Sequence, residues 1–287
     1  MALTRSLYST QYLKLRLTEG TGSYITGLPV QTASIERTVP TEDILVLGRL
    51  GSVGRQQKEV ETYKMDVKLF WASTAGAQLT SSDISTLTGN ALNGTRSEVV
   101  VEPNGFTGFG ILTKLSLDGS VGNFITSDLT FEGFGTPEVT KVANAGNTEG
   151  GGVANSVTVW TSENVILGTN SGSNINPTET INSAKFSLDI PTETLSRIGA
   201  QITGSTTLDR LTGNYLHVAK PPFKSSISYE GQLVTGDHKS DTITFGHIKV
   251  TPVNFNITSQ SYNQNAGDVG ATMSFSSEGV TATFADA

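Results

Sequence analysis

The 287-residue chain contains no cysteine. That removes disulfides, thiolate metal sites and cysteine nucleophiles together. Histidine is nearly absent as well, with His217, His238 and His247 the three in the chain. None stands at ligand spacing from another histidine. Only His238 has a neighbouring carboxylate, Asp237 in the turn-like GDHKSD, and solvated surface is the expected fate of such a pair. No G-x-S-x-G marks a nucleophile elbow. No apolar run approaches the roughly 20 residues that span a bilayer, and no basic-then-apolar leader follows Met1, so neither a membrane span nor a secretion signal is expected. Charged residues are sparse, 16% of the chain, and the net charge is −7. That balance argues against affinity for nucleic acid, which is driven by lysine and arginine displacing counterions. It does not argue against a protein that DNA passes without sticking.

What is present in quantity is glycine, 31 residues, with abundant serine, threonine and asparagine, while hydrophobic residues make up only 36%. This is the composition of short strands joined by polar turns; helices would want more alanine, leucine, glutamate and lysine. The length allows two ordinary domains or one large β domain.

The chain is organised around residues 30–48, VQTASIERTVPTEDILVLG, because residues 181–199, INSAKFSLDIPTETLSRIG, repeat them without a gap. The two stretches share Ala33 with Ala184, Pro40-Thr41-Glu42 with Pro191-Thr192-Glu193, and Gly48 with Gly199. Both read as a strand with Ala33, Ile35 and Val39 facing a core and Ser34, Glu36 and Thr38 facing away. Proline then ends the strand and suits the start of a turn or short helix.

Further correspondences follow in order. Residues 12–16, YLKLR, are answered by 157–161, VTVWT. Residues 62–70, TYKMDVKLF, show the clearest alternation in the chain and are answered by 223–229, FKSSISY, with Val67 matching Ile227. Ser81-Ser82-Asp83 offers caps for one short helix carrying Ile84 and Leu87 and closed by Gly89. The second stretch lacks that helix or replaces it with a turn at 236–240. A hairpin across Asp118-Gly119 and Val121-Gly122 closes the first copy, and Leu129-Thr130-Phe131 is answered by Met273-Ser274-Phe275. The order predicts an N-terminal arm at 1–11, a β domain at 12–142, a Gly-rich linker at 143–155 and a second β domain at 156–287.

No stretch carries convincing catalytic, cofactor or metal chemistry. Residues 105–110, GFTGFG, lack the Lys-Ser/Thr signature of a phosphate loop and read as a turn into a strand at Ile111. Asp118-Gly119-Ser120 has too few oxygen ligands for calcium. The scattered carboxylates suit solubility better than paired glycosidase chemistry.

The strand and loop at 34–41, the short helix at 84–87 and the closing hairpin SLDGSVGNFITSDLTFEGFG at 116–135 resemble those of bacteriophage tail tube proteins (major tail proteins), in the subset with a tandem-duplicated tube domain. The resemblance implies an all-β fold with a minor helix: two tube-like β-sandwich domains whose sheets join into a barrel on ring assembly. Two domains per chain then imply homotrimeric, pseudo-hexameric rings stacked into a hollow conduit for DNA delivery. The partners implied are further copies of the chain and other tail proteins: tape measure, baseplate or tip, terminator and sheath. DNA is transient cargo, and the place of work is the virion after synthesis in the host cytoplasm. Non-core strand positions are the lumen-facing candidates: Glu36, Asp128, Glu132, Lys185 and Asp189. Alternatives are a baseplate hub or tail-tip protein built from two tube domains, and a β-sandwich adhesin or carbohydrate-binding protein. An adhesin would usually show clustered exposed aromatics, whereas Trp71 and Trp160 stand in or beside strands. A polysaccharide hydrolase would need a groove with paired carboxylates.

Overall fold

The computed structural model describes residues 4–7, 11–45, 52–57, 61–102, 105–135, 137–139, 157–168, 181–196, 215–220, 223–232, 242–264, 272–279 and 281–287. The expected linker at 143–155 and His238 lie outside them. The first half runs β1 (Thr4–Leu7), β2 (Tyr12–Arg16), β3 (Ile25–Thr38), β4 (Thr41–Leu45), β5 (Ser52–Gln57), β6 (Thr62–Phe70), α1 (Ser81–Leu92), β7 (Ser97–Glu102), β8 (Phe106–Ser120), β9 (Thr126–Phe134) and β10 (Glu138–Val139). The second runs β11 (Val157–Trp160), β12 (Val165–Gly168), β13 (Ile181–Asp189), β14 (Thr192–Ser196), β15 (Tyr215–Ala219), β16 (Lys224–Gln232), β17 (Thr242–Phe245), β18 (Ile248–Val253), β19 (Asn256–Asn263), β20 (Thr272–Gly279) and β21 (Thr281–Asp286).

Alternation makes the strands. In β6, Tyr63, Met65, Val67 and Leu69 are at most 4% exposed, while Lys64, Asp66 and Lys68 point the other way. Each such burial contributes roughly 1.5–3 kcal/mol before chain entropy is counted. Strands β2, β3, β6, β9, β8 and β7 pair antiparallel in that order and β7 returns to β2, closing a six-stranded barrel. Closure removes the unpaired edges an open sheet would leave.

The barrel interior explains GFTGFG, which is strand from Phe106 onward rather than a turn. A Cβ on Gly108 would lie 2.5 Å from the Met65 sulfur, and one on Gly133 2.6 Å from Tyr63 Cζ. The glycines make room for those side chains. Tyr63 then donates its hydroxyl to the Phe109 carbonyl and accepts from the Phe109 N–H, both at 2.8 Å.

Past the barrel, β8 presents a second edge to β13, with Leu115 opposite Leu188 and Leu117 opposite Phe186. The sheet continues from β13 through β16 and β20 to β19. Eight strands, β3-β6-β9-β8-β13-β16-β20-β19, therefore form one run across both halves. A separate sheet, β12-β17-β18-β21, joins α1 against the apolar side. The resulting core is continuous, holding Ile84 and Leu87 of α1 beside Phe245, Ile248 and Val250.

The pairings of the first half recur in the second. β2–β7, β7–β8 and β8–β10 are answered by β12–β17, β17–β18 and β18–β21. β3–β6, β6–β9 and β8–β9 are answered by β13–β16, β16–β20 and β19–β20. Even the irregularities correspond. A bulge between Val30 and Thr32 answers one between Ile181 and Ser183, and one between Leu112 and Lys114 answers one between Ile257 and Ser259. The bulged residues Thr113 and Thr258 donate their hydroxyls to the equivalent carbonyls, Thr130 at 3.4 Å and Ser276 at 3.1 Å. One difference is that β12 makes no ladder with β13 among the described residues, whereas β2 pairs with β3.

Several sequence expectations change. The counterpart of Tyr12–Arg16 is β12, not the stretch at Val157, because β12 pairs with β17 as β2 pairs with β7. β11 instead pairs with β1, so part of the expected arm at 1–11 is a strand. After Pro40 and Pro191 the chain forms the antiparallel pairs β4–β5 and β14–β15 rather than the expected turn or short helix. Matching ladders set Val67 equivalent to Tyr229, through Ala33 and Ala184, two residues from the match to Ile227. Helix α1 is capped by Thr80, whose hydroxyl accepts from Asp83 N–H at 3.2 Å while Asp83 accepts from Thr80 N–H at 2.9 Å. It runs through Gly89 to Leu92 because buried Ala91 and the Asn90 amide, donating to the Leu17 carbonyl at 2.9 Å, hold its last turn.

Candidate functional site: one polar face and two open edges

Alternation places the non-core residues of the eight-strand run on a single face. Glu36, Asp128, Glu132, Lys185 and Asp189 all lie on it, spread over β3, β9 and β13. The register brings in residues that the sequence reading did not count. Lys64 stands between Glu36 and Glu132, Lys68 opposite Asp128, Asp118 opposite Lys185, and Asp189 between Lys114 and Lys224. Asp66, Glu230 and Glu278 complete the set. The face thus carries eight acids and five lysines, a net negative charge smaller in proportion than four acids against one lysine. The signal for Lys64 and Lys68 was present in the alternation of TYKMDVKLF.

These groups are tied locally. Lys64 reaches Asp66 at 3.1 Å and Lys68 reaches Asp128 at 4.0 Å. Thr130 donates to Asp66 at 2.6 Å, Ser116 to Asp128 at 3.2 Å and Thr192 to Glu132 at 2.9 Å. Half-exposed pairs of this kind contribute about 0–1 kcal/mol each. Chemically the face is a wet, hydroxyl-rich, mildly acidic surface that offers a polyanion no net counterion release. Among the described residues, no three His, Asp or Glu converge as a metal site would require.

The second feature is the pair of outer edges. Among the described residues, β3 pairs from Thr32 to Thr38 with β6 alone, and β19 pairs with β20 alone. All eight residues of β19 are exposed and none is charged. Natural edge strands are usually blunted by lysine, proline or shortness. Apolar side chains stand along both edges: Tyr262 is 56% exposed, Ile257 40% and Val39 40%.

A polar cluster links the halves behind the sheet. Trp71 donates to the Phe245 carbonyl at 3.1 Å and stacks on His247, with ring centroids 5.4 Å apart. Trp160 donates to His247 Nδ1 at 3.2 Å, which leaves Nε2–H to donate to the Leu79 carbonyl at 2.8 Å. Burial pushes the imidazole pKa down. Both tryptophans are thus packing residues, and His247 has a structural role that its lack of sequence neighbours concealed.

The fold defines the class: an all-β protein with one α-helix among the described residues, built on a closed six-stranded antiparallel barrel whose sheet extends beyond it. No family model and no curated protein matches the chain. Among solved structures it is similar to the tail of an empty GTA particle computed with helical refinement in C6 symmetry, with a TM-score of 0.33 and 16% identity over 45% of this chain and 95% of that one.

Proposed function

We propose that the chain is a structural rather than catalytic protein, the repeating subunit of a bacteriophage tail tube. The observation that supports this best is the β8–β13 ladder. It joins two four-stranded ladders of the same order into one sheet and leaves, among the described residues, an open edge at each end. In this reading 12–142 and 156–287 are tandem copies of one tube domain, and three chains supply six units to a ring. The polar face then lines the lumen, with Glu36, Asp128, Glu132, Lys185 and Asp189 on it. Its net negative charge repels passing phosphate rather than holding it. Rings stack into the conduit, and tape measure, baseplate or tip, terminator and sheath proteins are its neighbours in the virion.

The test is negative-stain microscopy of the purified protein with mass by light scattering. Hollow tubes built from three-chain rings are expected. A stable monomer at every salt and concentration tried, without tubes, would sink the reading.

A further inference from the structure

The internal β8–β13 junction has an equivalent that one chain cannot make by itself. Through the matching bulges, β13 corresponds to β3, with Ala184 equivalent to Ala33, and the second part of β8 corresponds to β19, with Leu115 equivalent to Gln260. Both equivalents are the open edges. We propose that β19 of one copy pairs antiparallel with β3 of the next in the register the internal junction already displays. The inference rests on the tube reading for a second copy at that edge, and adds the contact and its register.

That register is specific. Internally, Lys185 stands opposite Asp118, Phe186 opposite Leu117, Ser187 opposite Ser116 and Leu188 opposite Leu115. Transferred, Ser34 meets Asn263 of the next copy, Ile35 meets Tyr262, Glu36 meets Ser261 and Arg37 meets Gln260. The one apolar pair falls on the core side, where Phe186 and Leu117 stand internally. Ile190 N–H, which donates to the Thr113 carbonyl at 2.8 Å, becomes Val39 N–H donating to the Thr258 carbonyl of the next copy.

Exposure supports the transfer independently of the ladder count. Leu117 is 0% exposed and Ile190 2%, because the internal junction covers them; their equivalents Tyr262 and Val39 are 56% and 40% exposed. Phe186 is fully buried, whereas its equivalent Ile35 is only partly so. Val39 and Tyr262, left in water in the single chain, are thus residues that a second junction of the same form would cover. The two edges are unlike, so the contact is head-to-tail, and it closes into a ring or continues as a filament according to its rotation.

The absence of cysteine makes the test clean, since introduced thiols are the only ones. Two double variants place cysteines at aligned positions, Ser34→Cys with Asn263→Cys and Ile35→Cys with Tyr262→Cys. Adjacent pairs alternate between the two classes of cross-strand geometry, so one of the two has the closer approach. A slipped control combines Ser34→Cys with Ser261→Cys. After mild oxidation of the full-length protein, non-reducing gels should show monomer lost to covalent multimers in an aligned variant and retained in the slipped one. Tubes seen by microscopy without cross-links, or with cross-links favouring the slipped variant, would overturn the register and leave the tube reading standing. Aligned cross-links without any tubes would uphold the pairing and refute the tube. Uncross-linked monomer throughout, without tubes, would refute both.

Discussion

Replacing His247 with alanine is expected to weaken the joint between the halves and to flatten part of the pH dependence of stability. Three groups lose a partner: Trp160 Nε1–H, the Leu79 carbonyl and the face of Trp71. A fully enclosed donor or acceptor left unpaired costs about 1–3 kcal/mol. His247 is only half-buried, so water reaches the gap, and a total loss of about 1–3 kcal/mol is expected rather than twice that. Against a usual stability of about 5–15 kcal/mol this is readily measured.

The pH effect has a definite sign. Burial lowers the imidazole pKa from its ordinary 6.5, outweighing the Leu79 carbonyl and the Asp286 charge, which raise it. Below pH 6.5 the unfolded chain therefore takes up a proton that the folded chain refuses. This contribution is full above pH 6.5, declines as pH falls, and levels off once the folded imidazole is itself protonated. Urea unfolding followed by tryptophan fluorescence is the assay, because the chain's two tryptophans both contact this histidine. An unchanged pH slope in His247→Ala, or a loss below about 0.5 kcal/mol, would refute the reasoning.

Two further outcomes test the fold and the face. Gly133→Ala would set a Cβ 2.2 Å from the Phe109 carbonyl oxygen and 2.6 Å from Tyr63 Cζ. Displacing Tyr63 from the Phe109 backbone should cost about 1–3 kcal/mol by thermal unfolding, and an unchanged melting temperature would contradict the packing given for the barrel interior. Replacing Glu36, Asp128, Glu132 and Asp189 together with lysine should leave assembly intact and turn the polar face basic. On the proposed tube reading, tubes of this variant should retain DNA at low salt and release it as salt rises; tubes that retain none would place the face away from the lumen.

Much of the fold was legible in period-two alternation. TYKMDVKLF is strand β6 to the residue, and Ala33 and Ala184 are equivalent in the ladders as in the alignment. Alternation also explains the main error. A pattern of period two looks the same after a shift of two residues, so matching Val67 to Ile227 was as good by pattern as matching it to Tyr229. Only hydrogen-bonded partners separate the two. The bulges at Thr113 and Thr258 were hidden because one inserted residue leaves composition untouched while resetting which side faces the core. The polar face was half legible. Glu36 and Asp128 could be placed from their own strands, but Lys114 joined them only once β8 was set beside β9 and β13. His247 had no signal at all, since its partners Leu79, Trp71 and Trp160 are far away in sequence.

Helix α1 follows β6 in the chain, yet its first turn reaches the far terminus. Ser81 N–H donates to the Asp286 carboxylate at 3.0 Å, and Ile84 and Leu87 share a core with the strands of the second half. The second half has no helix of its own between β16 and β17 among the described residues, so the helix of the first half lies against its β21 strand. The two halves are therefore not separable modules. A polypeptide ending before β11 would leave the apolar side of α1 bare, and one beginning there would expose Phe245, Ile248 and Val250. A single protease cut in the segment between β10 and β11 should release neither piece under native conditions. Expressing either piece alone should yield an aggregating product, soluble only when its complement is supplied.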